Sequence, residues 1–279
     1  MKLSKFLTTT ALVLASLTAP QVQAKDWKTV TITLEGAYAP WNLTNPDGTL
    51  GGFEPELAKY LCDHMKVECT LVASDWDGMI ASLNAGKFDV IMDALSITEE
   101  RKQIIDFTIP YAHTHAAFAT LNDSPLAKAA GTGTVVKMEP TTTGTAEIEA
   151  LKTAFAGKTI GIQAATVYSK FIYANFGEIA TVREYKTGAE RDLDLETGRI
   201  DLAFDDAVYL VSAFEKSKGV LGFTGPEIGG TIFGSGEGLG IRKSDPELKE
   251  MFDKAIKAAL DDGTVKTLSM KWFKTDVSP

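Results

Sequence analysis

The sequence predicts an α/β protein of two lobes, each a mixed, mostly parallel sheet flanked by helices. Short apolar runs of strand character alternate with segments of helical spacing, which is the pattern of parallel sheets. Those runs stop in small, hydroxylated or acidic residues, where open α/β sheets bind ligands. Removing an amino-terminal leader of residues 1–24 from 279 leaves 255 residues, enough for two compact lobes.

The leader reads as a secretory signal peptide. Lys2 and Lys5 precede an uncharged stretch from Phe6 to Ala19, and Val22-Gln-Ala24 supplies small residues at the cleavage positions, so the mature chain starts at Lys25. The apolar part is too short and too rich in Thr and Ser to span a membrane, and no later stretch approaches ~18 consecutive apolar residues. Losing two lysines takes the formal net charge from -9 to -11. An acidic balance argues against nucleic acid and anionic membrane as partners. The two cysteines, Cys62 and Cys69, form an even count in an exported chain, which points to a disulfide between a helix end and the next strand. A metal pair would lack two further ligands.

In chain order, Val30, Ile32 and Leu34 alternate with threonines as a first strand that ends in Glu35 and Tyr38. Asn45-Pro-Asp-Gly48 is a turn, and a helix runs from Glu54 to about Met65. Val67 to Ala73 is a strand, and a short helix follows Trp76-Asp-Gly78. Val90, Ile91 and Met92 form a buried strand that delivers Asp93, Ala94 and Ser96 at its carboxyl end. Thr98 then caps a helix start carrying Arg101, whose guanidinium fork suits a carboxylate. Taken alone, Arg101 could equally be a solvated residue paired with Glu99 or Glu100.

Ala112 to Thr120 reads as a crossover strand, residues 129–145 as a surface loop and Glu147 to Phe155 as a helix. Lys158 to Gln163 is a strand running into Ala164, Ala165 and Thr166, a second anion-type corner. Asp192 to Thr197 is helical, and Arg199 to Phe204 is a strand ending in Asp205 and Asp206. Gly225-Pro226 and the glycines from Gly229 to Gly240 read as a flexible return. Gly236, Gly238 and Gly240 precede a strand, so they are no dinucleotide fingerprint. Ser244-Asp-Pro-Glu247 has capping-box spacing at the start of a helix ending at Gly263, and a last helix spans Val265 to about Phe273.

Catalytic motifs are absent: there is no Gly-x-Ser-x-Gly elbow and no His-Glu-x-x-His pair. His113 and His115 point the same way on a strand but have no third metal ligand nearby, so one of them lining a pocket is the favoured reading. Glu35, Asp93, Asp205 and Asp206 all lie where strands stop, and four acids in one cleft would repel one another unless a cation binds. Tyr38 and Trp76 supply aromatic faces for that cation, with core packing as the alternative.

Glu35-Gly-Ala-Tyr-Ala-Pro, Gly52-Phe53-Glu54, Leu95-Ser-Ile-Thr-Glu-Glu-Arg101, Gly198-Arg-Ile-Asp201, Gly240-Ile-Arg-Lys243 and Asp262-Gly-Thr264 with Lys271-Trp-Phe273 together resemble the polar amino-acid group of periplasmic solute-binding proteins, which feed ABC importers. The resemblance covers the whole mature chain. Within the group it is similar to lysine/arginine/ornithine-binding proteins, which share the Cys62 and Cys69 spacing. It also resembles the octopine- and nopaline-binding proteins in Glu35, the Trp76-Asp-Gly triplet, the extra segment near Gly131 to Phe155 and the Trp-Phe ending.

The resemblance implies a type II periplasmic-binding fold with two hinge strands crossing near residues 113–116 and 230–233. Lobe 1 would hold residues 25–114 and 232–279, and lobe 2 residues 115–231. It implies that Arg101, Ser96 and the backbone N–H of Thr166 hold an α-carboxylate, and that Asp206 takes the α-amino group. Tyr38 and Trp76 would sandwich the side chain, Glu35 would meet its distal cation, and Ala94 would offer its carbonyl. Ala164 and His115 complete the implied ligand shell. Asp93, where relatives usually have Ser or Ala, adds a negative charge near the side-chain pocket; Ala165 and Val167 also depart from the group, replacing a common Gly and a common hydroxyl.

The reading is a periplasmic, monomeric binding protein without cofactor or metal, served by separate permease and ATPase chains. Its ligand is a cationic amino acid of the arginine, lysine or ornithine type, or an opine such as octopine or nopaline. The rivals are an enzyme on the same scaffold, resembling cyclohexadienyl dehydratase and using Glu35 or His115, and a ligand-binding partner of a membrane sensor.

Overall fold

The computed structural model describes residues 26–142 and 145–279, so the expected signal peptide lies outside the described residues. The chain opens with strand β1 (Thr29–Leu34), in which Val30, Ile32 and Leu34 are buried as their alternation predicts. A small antiparallel sheet follows from β2 (Ala37–Tyr38), β3 (Asn42–Thr44) and β4 (Leu50–Gly51). Helix α1 (Phe53–Met65) buries Phe53, Leu57, Ala58 and Leu61, and β5 (Glu68–Ala73) runs parallel to β1. Helix α2 (Met79–Asn84), strand β6 (Val90–Ile91), the single turn α3 (Glu99–Lys102) and β7 (Asp106–Phe107) complete this stretch.

The second lobe is built from β8 (Ala116–Leu121), β9 (Val135–Lys137), α4 (Ala146–Phe155), β10 (Thr159–Gln163), α5 (Val167–Phe176), β11 (Thr181–Tyr185), α6 (Gly188–Glu196), β12 (Leu202–Asp206), α7 (Ala207–Lys216) and β13 (Leu221–Gly229). The chain returns through a 3-10 turn at Thr231–Phe233 to β14 (Gly240–Ile241), then ends in α8 (Pro246–Asp261) and α9 (Thr264–Trp272), which pack on α1. One sheet has the order β5-β1-β6-β14-β7 and the other β11-β10-β12-β8-β13-β9. In both, three parallel strands are followed by one antiparallel strand, β14 or β8, beyond which β7, or β13 and β9, run with the first three.

Three sequence expectations are corrected. The loop expected over residues 129–145 contains β9, a half-exposed edge strand parallel to β13 and too short for its periodicity to register. The flexible return expected from Gly225 is strand through Gly229, and a register shift between Thr224 and Ile228 accommodates Pro226, which has no N–H for the ladder. The capping box at Ser244 to Glu247 does not form. Asp245 is the N-cap without a side-chain cap bond, because its carboxylate holds Arg242 Nε at 2.6 Å.

Cys62 and Cys69 are bridged, tying the end of α1 to β5 as expected. Replacing both with serine frees a loop of sequence separation 7. Loop-closure entropy then predicts a loss of roughly 2–3 kcal/mol, read as a lower urea midpoint. An unchanged midpoint would show that packing alone holds this corner.

Candidate functional site

The first wall of the site is the turn after β6. Val90 and Ile91 are fully buried, which leaves the turn no freedom to slide, and Leu95 anchors its far side at 1% exposure. Ala94 is held in the left-handed region (φ 42°) while its N–H donates to Glu54 Oε1 at 2.7 Å. Thr98 caps α3 by accepting from Arg101 N at 3.2 Å. Arg101 then folds back, with Nη1 donating to the Ser96 carbonyl at 3.0 Å and the guanidinium 5.4 Å from the centroid of the Trp76 ring. It makes no ion pair among the described residues, and burial pushes it down to about 10.

The opposite wall comes from the ends of β10 and β12. Thr166 caps α5 by accepting from Ser169 N at 3.0 Å and donates its hydroxyl to the Gln163 carbonyl. The first N–H groups of that helix have no intrahelical acceptors, which suits an anion. Asp205 accepts from Tyr38 Oη at 2.6 Å, from Asp206 N at 2.8 Å and from Arg191 Nη1. Asp206 caps α7 through Tyr209 N at 2.9 Å and accepts the Thr114 hydroxyl.

The two walls meet. Tyr38 stacks on Tyr209 at 4.6 Å, and Gln163 Nε2 reaches Glu35 Oε1 at 3.0 Å. At the rim Lys186 pairs with Asp75 at 3.0 Å and Lys170 with Glu100. The cleft between them is lined by Glu35, Tyr38, Trp76, Asp93, Ala94, Ser96, Arg101, Gln163, Thr166, Val167 and Tyr168 and encloses about 30 Å³. That is room for about one water. A wider groove of about 820 Å³ adjoins it beyond Trp76, Arg101, Thr166 and Val167.

Of the eleven residues anticipated from sequence, the fold brings Glu35, Tyr38, Trp76, Asp93, Ala94, Ser96, Arg101 and Thr166 to this cleft. It does not bring Ala164, whose N–H is spent on the Tyr185 carbonyl, or Asp206, which faces Thr114. His115 also lies elsewhere, with Nδ1 3.1 Å from Glu227 Oε2. The four acids do repel one another, Glu35 through Asp205, Asp93 through Glu35 and Asp206 through Asp205, but they are not left without partners. Asp205 is neutralised by Arg191, and Asp93 accepts from Asn42 Nδ2 at 2.7 Å and Glu35 N at 3.0 Å. Nor do Tyr38 and Trp76 face each other freely, since Tyr38 lies on Tyr209 and Trp76 lies beneath Arg101.

Burial raises several of these carboxyls. Glu35 is pushed up to about 7, with Asp205 and Asp75 adding to burial while Gln163 and Lys186 oppose it. Asp206 is pushed up to about 6 by burial against the hydrogen bonds from Thr114 and Tyr209 N. Asp93 is raised by burial and then by Glu54 and Glu35, and Glu237 by burial and then by Asp206.

Residues 30–275 match the bacterial extracellular solute-binding proteins, family 3. The chain belongs to that family. This solute-binding protein is 41% identical over 286 residues to the octopine-binding periplasmic protein of Rhizobium meliloti, covering 94% of this chain and 95% of the relative. It is 33% identical to the L-arginine-binding protein of Pseudomonas aeruginosa, covering 96% and 95%. Among solved structures it resembles a periplasmic His/Glu/Gln/Arg/opine family-binding protein from Silicibacter pomeroyi in complex with lysine, at a TM-score of 0.72 and 31% identity, over 90% of this chain and 99% of that one.

Sequence reasoning misses several residues that shape the solute-binding protein's cleft. Gln163 reads as part of a strand, although its place at the strand end, before the second anion corner, carries the same signal as Ser96. Arg191 leaves no signal, because an arginine beside Asp192 on a helix reads as solvated. It is in fact fully buried, and a Cβ on Gly161 would come within 2.8 Å of its Cγ. Asn42 is likewise invisible as the donor that bridges Asp93 and Glu54 until the small sheet brings it to them.

Proposed function

We propose that this chain is the exported, periplasmic substrate-binding protein of an ABC importer, working with separate permease and ATPase chains. Its ligand carries an α-carboxylate and a cationic side chain, as an arginine-type amino acid or an opine derived from one does. The observation that carries this is Arg101: a half-buried guanidinium at a cleft between two lobes, without a carboxylate partner among the described residues. A ligand carboxylate there gains a bidentate partner and the amino end of α5. The raised acids behind the cleft, Glu35 foremost, favour a cation at the other end.

Closure turns about the crossings near residues 113–116 and 230–233 and brings the rim pairs Lys186–Asp75 and Lys170–Glu100 together. Asp206 takes the ligand's amino group once the lobes open and re-close around it. The relatives named for octopine and arginine support this class of ligand. Calorimetry of the stripped protein against arginine, lysine, ornithine, octopine, nopaline and glutamine tests it; a response to glutamine alone would overturn the cationic assignment.

Glu35 makes the affinity depend on pH. In the empty cleft it holds a proton below about 7, and a cationic ligand must expel that proton. Affinity is therefore expected to rise with pH through that value and to fall by up to about tenfold per pH unit below it. Titrations at pH 5.5, 6.5 and 8 check this, and Glu35→Gln should flatten the profile between pH 6.5 and 8. A carboxyl poised near neutrality is also what an enzyme on this scaffold would use as acid or base. Recovery of bound ligand unchanged after long incubation separates the two.

A further inference from the structure

Glu237 stands on the return of the chain toward β14, where its backbone bridges to Ser96 and to Ala112. Its side chain is 6% exposed, with Oε1 3.2 Å from the Thr114 hydroxyl oxygen and Oε2 buried without a partner among the described residues. The same hydroxyl reaches Asp206 Oδ2, at the end of β12 in the other sheet. One hydroxyl hydrogen therefore lies between two carboxyl groups, and neither acid pairs with a cation among the described residues. The chain of hydrogen bonds closes only with a second proton: Glu237 as the neutral acid donates to the Thr114 oxygen, and Thr114 donates to Asp206. Asp206 is the better place for the charge, because Tyr209 N donates to its Oδ1 while Glu237 Oε2 has no donor.

No neighbouring group offers a compensating charge. Glu54 of α1 is a further acid, and the Tyr111 hydroxyl is turned to it. Tyr168 of α5 is a phenol that burial and then Asp206 push up, so it stays neutral. Arg101 bonds the Ser96 carbonyl, and Arg191 is spent on Asp205 and Asp192. His113, near Gly236, is exposed and is held below the usual histidine range by desolvation and by His115. We propose that Glu237, Thr114 and Asp206 form a proton-dependent clasp between the two sheets, which holds the lobes together while Glu237 keeps its proton and lets them part when the proton is lost. The clasp acts in the empty protein and is independent of which ligand the cleft takes. Burial and then Asp206 raise the Glu237 carboxyl, so it keeps its proton past the pH at which an exposed glutamate gives one up. The clasp is therefore present below that raised value and lost as the pH climbs through it. Above it, two buried carboxylates face each other across one hydrogen, and parting the sheets returns them to water.

Small-angle scattering of the full mature chain, stripped of ligand and measured from pH 5.5 to 9.5, tests the clasp. The wild type should be compact at the acid end and step to a larger radius of gyration toward the alkaline end. Glu237→Gln should stay compact throughout, because its amide nitrogen donates to Thr114 where the acid's O–H did. Thr114→Val, which removes the oxygen that links the acids, should show the larger radius across the whole range. Thermal melts of the same samples give a second reading: Glu237→Gln should match the wild type at pH 5.5 and melt above it by a margin that grows with pH, since only the wild type must bury the added charge. Glu35 and Asp93 also carry raised carboxyls, and both are kept in the variants. A step in radius that survives in Glu237→Gln would therefore belong to them and overturn the clasp. So would a wild type whose radius does not change with pH, or a Thr114→Val chain as compact as the wild type at pH 5.5.

Discussion

Arg101→Ala is expected to weaken ligand binding by about a hundredfold or more, since losing one partner of a buried charge pair costs about 2–5 kcal/mol. The loss should be common to every ligand that presents an α-carboxylate, whatever its side chain, because the proposal gives Arg101 the carboxylate and Glu35 the side-chain cation. Arg101→Lys should recover little of it: an ammonium cannot hold two carboxylate oxygens in parallel while also bonding the Ser96 carbonyl. Stability of the empty protein should move the other way or stay level. Burial without an anionic partner already pushes Arg101 down to about 10, so its removal relieves an unfavourable charge. Calorimetric Kd and thermal melts without ligand read the two effects separately. Undiminished affinity in Arg101→Ala would remove the basis for a carboxylate at this position.

Arg191→Met is expected to destabilise the fold more than loss of the disulfide does. The guanidinium is fully buried, donates to Asp192 Oδ1 at 3.0 and 2.7 Å, pairs with Asp205 and lies 5.4 Å from the Tyr209 ring centroid. Removing it leaves two carboxylates buried without a cation, a situation that costs about 3–5 kcal/mol. The urea midpoint should fall accordingly. Replacing Asp192 and Asp205 by Asn in the same chain should recover much of the loss, because the penalty lies in the orphaned charges. A secondary effect on binding follows, since Asp205 orients Tyr38 across the cleft. A midpoint within error of wild type would mean that the two acids take up protons without cost.

The legible parts of this protein are local. The strand-to-corner passage from Val90 through Arg101 can be read because burial, capping and charge all fall within one short segment, and the structure builds the capped turn at Thr98. Periodicity likewise places α1, α4 and α8 to within a residue or two. Among the elements that periodicity leaves unmarked, β11 and α7 lie between better-marked neighbours, and α6 begins at Gly188 under a Thr187–Glu190 capping box, ahead of the helical stretch expected from Asp192.

Sequence alone determined the α/β class, the disulfide partners, the threonine-capped corners at Thr98 and Thr166 and the family, because each depends on residue type at short spacing. The partners of the charges were decided in three dimensions. Asp205 meets Arg191, fourteen residues away; Asp93 meets Asn42, fifty-one away; and Glu35 meets Gln163 from the other lobe, 128 away. Whether an acid attracts a ligand cation or is already satisfied depends on those partners and on how much water burial removes, and chain order carries neither quantity.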